Sequence, residues 1–257
     1  MGAVSFSIDV TMVELFRRVL PLPIFVETGT FEGDAVALVL NEFREIHTVE
    51  LSEEYYAMAV ERFSSRDTVT VHHDDSAHAL AVLRSRLERE SVFYWLDAHW
   101  CVADDTAGKH SECPLLAELE AIGTFNSRSV VMIDDARLFL CTPPKPHETE
   151  HWPRFQEVIR RLSSLSPDHE IMVINDVIVF FPAELVSDVS EYAHANSIDW
   201  LVSLRQLEAL EEDHDMLTRS LAERLALIEE MHAEQELLYR TLAERSVTIE
   251  ELNRLQR

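Results

Sequence analysis

Up to about Pro182 the chain alternates between two patterns of apolar and polar residues. Short runs rich in β-branched and aromatic residues stand at 24–28, 46–50, 68–72, 92–97 and 129–134, and they predict strands. A run such as Val130-Val131-Met132-Ile133 has no polar alternation, the pattern of a strand buried on both faces. Between these runs apolar residues recur every three or four positions. That spacing predicts helices at 10–20, 33–43, 53–63, 77–87 and 153–165, with a further helix opened by Pro114. Pro21 and Pro23 close the first of them. Two last apolar runs, 170–174 and 177–181, are separated by Asn175-Asp176, a pair that fits a tight hairpin turn. Alternating strands and helices predict an α/β domain with a mostly parallel sheet covered on both faces, and the hairpin adds an antiparallel end. Seven strands are expected in all.

Beyond Pro182 there is no further proline, and the last glycine is Gly123. From about 198 to 257 the chain is helix-forming throughout. A 3-4 spacing runs through Leu207, Leu210, His214, Leu217, Leu221, Arg224, Ile228, Met231, Gln235, Leu238, Leu242, Arg245, Ile249 and Leu252, as in a coiled coil. Residues 217–231 (LTRSLAERLALIEEM) also repeat at 238–252 (LYRTLAERSVTIEEL), a period of three heptads. The expected organisation is an α/β domain at 1–185 and a helical coiled coil at 186–257. The coiled coil is read as a homo-oligomer contact, with docking to another protein as the alternative.

Charge narrows the partners. The net charge is −25, lysine occurs only at 109 and 145, and no basic cluster interrupts the acidic surface, so nucleic acid is a poor partner. Three cysteines (Cys101, Cys113 and Cys141) contain no CxxC pair and suit a reduced, cytoplasmic protein. No apolar stretch is long enough to span a membrane.

In parallel sheets ligands bind beyond the carboxyl ends of the strands, so the chemistry is sought there. The first strand runs into Glu27-Thr28-Gly29-Thr30-Phe31-Glu32-Gly33, a glycine corner spaced G-x-x-x-G, unlike the dinucleotide GxGxxG. The second ends at Glu50, which can accept two ribose hydroxyls. The third ends in His72-His73-Asp74-Asp75-Ser76. Asp75 and Ser76 there can hold an adenine amino group or cap the next helix, and the adjacent histidines point to opposite faces. The fourth and fifth end at Asp97-Ala98-His99 and Asp134-Asp135-Ala136-Arg137. Three aspartates at one edge repel, which Mg²⁺ would relieve; alternatively they cap helices or pair with Arg137. The polar segment 102–110 is a candidate lid, and His99, Cys101, His110 and Cys113 a weak zinc alternative.

Taken in order, Glu27-x-Gly29-x-x-x-Gly33, Glu50, Asp75-Ser76, Leu96-Asp97 and Ile133-Asp134-Asp135 resemble the signature of class I S-adenosylmethionine (SAM)-dependent methyltransferases, over roughly residues 23–182. Within that family the chain is most similar to the Mg²⁺-dependent O-methyltransferases of catechol and macrocin type. The resemblance implies a Rossmann-like sheet. It places Gly29, Thr30 and Gly33 at the methionine part of SAM, with Glu27 in the same cofactor set. Glu50 falls at the ribose, and Asp75 and Ser76 near adenine. Asp97, Asp134 and Asp135 become the metal ligands. The lysine that serves the catechol enzymes as base has no counterpart after Asp97, so His99 is the candidate base beside Asp97. The implied acceptor is a hydroxylated small molecule or saccharide.

Overall fold

The computed structural model describes residues 8–99 and 112–255. Helix α1 (Val10–Val19) opens the chain. Strands β1 (Ile24–Thr28), β2 (Glu45–Glu50), β3 (Val69–His73), β4 (Val92–Leu96) and β5 (Val130–Ile133) alternate with helices α2 (Asp34–Val39), α3 (Glu53–Arg62), α4 (Ser76–Leu87) and α5 (Leu115–Ile122). After β5 come α6 (Ala136–Leu140), α7 (Phe155–Leu165), the hairpin strands β6 (His169–Ile174) and β7 (Val177–Pro182), and α8 (Val186–Asn196). A single helix, α9 (Trp200–Leu255), follows.

The strands form one seven-stranded sheet in the order β3-β2-β1-β4-β5-β7-β6. Strands β1 to β5 run parallel, and β7 is antiparallel to both β5 and β6. This is the mostly parallel sheet with a reversed end that the apolar pattern predicts, and the Rossmann-like sheet that the resemblance implies. The chain starts at the centre, works outward to β3, then returns to lay β4 beside β1. The strand order therefore reverses between β1 and β4, where crossovers leave opposite faces of the sheet and open a crevice.

The absence of polar alternation has a direct structural cause. On β4, Phe93 and Trp95 enter one core, with α1 residues such as Phe16, while Val92, Tyr94 and Leu96 enter the other, with Leu80 of α4 and Leu119 of α5. Strand β5 divides the same way, Val130 and Met132 against Val131 and Ile133. Both faces are covered by helices, so every position is apolar.

Helix α2 is shorter than the predicted 33–43. Its last turn is given up because Phe43 turns into the core, its ring centroid 5.2 Å from that of Phe25, while the N–H groups of Arg44 and Glu45 both donate to Pro23 O and draw the chain into β2. Two helices were not foreseen, α6 and α8. Val189 and Tyr192 of α8 are buried in the first core, and Tyr192 Oη donates to Asp9 Oδ2, the N-cap of α1.

The chain divides into two compact units, residues 1–197 and 198–257. The second holds α9, 56 residues long, whose described Leu, Ile and Met side chains are exposed. Among the described residues no helix is long and apolar enough to cross a membrane.

The sheet's β2–α4 contact carries a titratable pair. Glu45 accepts from Arg86 Nε (2.8 Å) and Nη2, and lies 2.8 Å from His47 Nε2. Arg86 first, then His47, hold its carboxyl down at about 2 against the opposing effect of burial. A depressed carboxyl stabilises the fold above its unfolded value of 4.5, and that contribution fades as pH falls toward about 2. Glu45→Gln is therefore expected to lower Tm at pH 7, with the gap to wild type closing across that acid window in pH-dependent thermal scans. A gap that stays constant with pH would mean the charge pair contributes nothing.

Candidate functional site

The crevice between β1 and β4 is built around Gly29. Its φ is +82°, and a Cβ there would lie 2.3 Å from the Asp97 carbonyl oxygen, so the corner after β1 presses directly on the end of β4. Only glycine meets both demands. The corner is tied to β2 by Gly29 N and Thr30 N, which donate to Val49 O (3.0 and 3.3 Å), and Gly33 N closes it onto Thr30 O (2.8 Å). Gly33 (φ +80°) lies against the Phe63 ring, which a Cβ would meet at 2.8 Å. The Thr30 hydroxyl is turned inward, 2.5 Å from that of Thr48, and Thr48 in turn donates to Glu27 Oε2 (2.5 Å). Glu27 is buried in full. That burial, with the Glu50 charge adding and the Thr48 bond opposing, pushes its carboxyl up to about 8.

Glu50 at the end of β2 is held by the backbone. Phe31 N donates to its Oε2 and Ser52 N to its Oε1, both at 2.8 Å. Each oxygen keeps a second lone pair for a further donor, and the carboxylate cannot rotate away from the corner. At the end of β3 Asp75 caps α4 by accepting from His78 N (3.1 Å), and Ser76 beside it is buried. The two strand histidines diverge as their alternation predicts: His72 Nε2 meets His47 Nδ1 at 3.0 Å, whereas His73 Nε2 reaches Leu51 O at 3.3 Å.

The ends of β4 and β5 bring Asp97, His99, Asp134 and Asp135 together. His99 Nε2 lies 2.8 Å from Asp135 Oδ2 and 3.6 Å from Asp97 Oδ1. Asp135 adopts the left-handed region (φ +53°), and its other oxygen accepts from Arg137 Nη1 at 2.5 Å. Arg137 also pairs with Asp176 Oδ2, and Asp176 Oδ1 accepts from Arg137 N at 2.8 Å, so the hairpin turn braces the site. Burial alone would lower the His99 imidazole, but its bond to Asp135 and the charges of Asp97 and Asp135 outweigh it and push it up to about 9. His99 therefore enters the site as a cation at neutral pH. Burial would raise Asp135, but His99 and Arg137 hold it well below the carboxylate range. Burial and the Asp135 charge push Asp134 up to about 6, and burial with the Asp134 charge raises Asp97 well above its ordinary value.

The Mg²⁺ cage expected from the sequence takes in Asp97, Asp134 and Asp135, which stand together with His99 at this edge. Among the described residues no group of three or more His, Cys, Asp or Glu side chains is placed to hold a metal ion. Asp135 is paired on both oxygens, with His99 and with Arg137, the pairing with Arg137 that the sequence left open. Cys101 and His110 of the zinc alternative, and the candidate lid 102–110, lie outside the described residues. Cys113 is buried, which pushes its thiol up to about 12.

Glu118 escaped the sequence reading. Glu118 on α5 is 1% exposed, the Thr28 and Ser76 hydroxyls lie against its carboxyl, and its Oε1 has no hydrogen-bond partner among the described residues. Burial raises its carboxyl. It sits in a helical run of Leu, Ala and Glu that reads as an ordinary amphipathic helix, so the only sequence signal is its i+4 place after Pro114. Trp152 and Phe139 are likewise new to the site. Their rings lie 5.6 and 6.0 Å from that of His99, and Trp152 Nε1 donates to Glu112 Oε2 at 2.7 Å.

No family model and no curated protein matches the sequence. Solved structures similar to it include SMU.1697c from Streptococcus mutans, in complex with SAH (8% identity, TM-score 0.48, 68% of this chain and 98% of that one). Human methyltransferase-like protein 13, also with SAH, is 18% identical, with TM-score 0.46 over 71% of this chain and 82% of its own. The sugar N-methyltransferase KedS8 from Streptoalloteichus is 13% identical, with TM-score 0.45 over 70% and 89%. At these scores the likeness carries no argument, and the fold rests on this chain's own strand order.

Glu27 gives the site a measurable signature. The folded chain holds its proton up to about 8, the unfolded chain only to 4.5, so stability falls with rising pH across that window. A glutamine does not ionise. In ligand-free thermal scans Glu27→Gln is expected to gain progressively on wild type between these two values. A difference independent of pH would contradict the raised carboxyl.

Proposed function

We propose that the 1–197 unit is a SAM-dependent methyltransferase that methylates an oxygen of a hydroxylated small molecule or saccharide. The observation that supports this most is the placement of an acid at the carboxyl end of β1, β2, β4 and β5, around a glycine corner too tight for a Cβ. The residues fit the cofactor. Glu27 is a buried carboxyl that suits the ammonium of the methionine part, beside the corner formed by Gly29, Thr30 and Gly33. Glu50, fixed by two backbone donors, suits the ribose hydroxyls, and Asp75 and Ser76 stand where adenine is expected. Bound there, SAM supplies an electrophilic methyl group.

The chain's own residues then have distinct tasks. Asp97, a third exposed and with a raised carboxyl, takes the proton of the acceptor hydroxyl. His99, cationic through Asp135, sets the position of that carboxyl rather than serving as the base. Holding acceptor oxygen and methyl group in line supplies much of the acceleration. Trp152 and Phe139 offer an apolar wall that excludes water. The bonds around Asp135 favour a metal-independent reaction over the metal-assisted one. For α9 we propose self-association as a coiled coil, ahead of docking to another protein.

Transfer of labelled methyl from SAM to a panel of sugars and phenols tests this reading. Asp97→Asn is expected to lower turnover by ~10²–10⁴-fold, the usual share of a general base, with SAM affinity unchanged. Wild-type turnover is expected to persist in EDTA. Activity lost in EDTA and regained with Mg²⁺ would restore the metal, and labelling of amines alone would replace the oxygen acceptor.

A further inference from the structure

Helix α9 carries its 3-4 seam in the open. From Leu207 to Ile249 the apolar seam residues are between 49% (Ile228) and 65% (Leu210) exposed. Four polar residues interrupt the seam, His214, Arg224, Gln235 and Arg245. Their placement is symmetric. His214 and Arg245 stand equally far from the midpoint between residues 229 and 230, and so do Arg224 and Gln235. Reversing the helix about that midpoint lays every polar seam position on a polar one. Leu217 then meets Leu242, Leu221 meets Leu238, and Ile228 meets Met231 at the centre.

The reversal also exchanges the two heptad classes, so each a-type residue faces a d-type residue, the pairing of antiparallel helices. A parallel pair in register would instead set Arg224 against Arg224 of the partner subunit and Arg245 against Arg245 of the partner subunit. Like charges would then face each other twice inside the seam. In the reversed pair the Arg224 guanidinium donates to the carboxamide oxygen of Gln235 of the partner subunit, and Arg245 faces a histidine, which can accept through an unprotonated nitrogen. We infer that α9 binds α9 of a second copy of this chain, antiparallel, in the register that pairs Arg224 with Gln235 and His214 with Arg245.

This inference rests on the self-association proposed above, and two measurements on the full chain separate them. Sedimentation equilibrium is expected to give twice the 29.5 kDa chain mass; a monomer would overturn both. Spin labels on a ketone-bearing amino acid, placed in turn at Glu212 and Ala226 on the outer face, then report orientation by pulsed dipolar spectroscopy and leave the native cysteines unlabelled. At 1.5 Å per residue the antiparallel register offsets the two labels along the axis by roughly 50 Å at 212 and roughly 10 Å at 226. A dimer with the same distance at both positions is parallel, in register or slipped, and would overturn the orientation alone.

Discussion

The carboxyl edge of the sheet gathers more negative charge than its surroundings can solvate, and the rest of the site is arranged around that constraint. Asp97, Asp134 and Asp135 share the ends of two adjacent strands, and Glu27 lies buried one strand away. Among the described residues His99 and Arg137 oppose them; both pair with Asp135, while His99 also lies 3.6 Å from Asp97 and Arg137 also meets Asp176. The acids therefore separate into two kinds. Asp135 is firmly ionised, whereas Asp97, Asp134 and Glu27 are held toward their protonated forms. Groups poised in that way accept a proton or a cation readily. The left-handed turn at Asp135 and the bracing by Asp176 belong to the same arrangement, since they aim one carboxylate at both cations.

Much of the fold was legible because burial on two faces writes an unmistakable pattern. Five short β-rich runs became five parallel strands, most plainly the unalternating β4 and β5, and Asn175-Asp176 became the hairpin turn, with Asn175 at positive φ. What was hidden depends on contacts distant in sequence. Nothing local announces that Phe43 will leave a helix to pack against Phe25, or that Val189 and Tyr192 will bury α8 in the first core. At the site, the acids at strand ends were visible because position along a parallel sheet is itself a signal. Their partners were not. Asp176 looked like a turn residue and Glu118 like an outward helix position, and only the tertiary fold brings one to Arg137 and the other to Ser76. The partners of Asp135 were hidden for the same reason, because a count of aspartates does not reveal that His99 and Arg137 pair with one of them.

Helix α9 poses the opposite problem. Its sequence is periodic over its whole length, yet a lone helix gives those leucines nothing to pack on, and exposed apolar seams of this length are costly in water. The polar interruptions reduce what the seam gains from association, while their symmetric spacing gives them a use in choosing orientation and register.

The most direct test of the cofactor site is calorimetric titration of SAM into wild type and Glu50→Ala. Among the described residues Glu50 is the strand-end carboxylate fixed by two backbone donors, and its replacement leaves the acid cluster at β4 and β5 untouched. The account predicts micromolar binding to wild type, roughly −8 kcal/mol, and at least tenfold weaker binding to the variant. Equal affinity in the two proteins would contradict the placement of the ribose at β2, and absence of binding to wild type would leave the glycine corner as architecture alone.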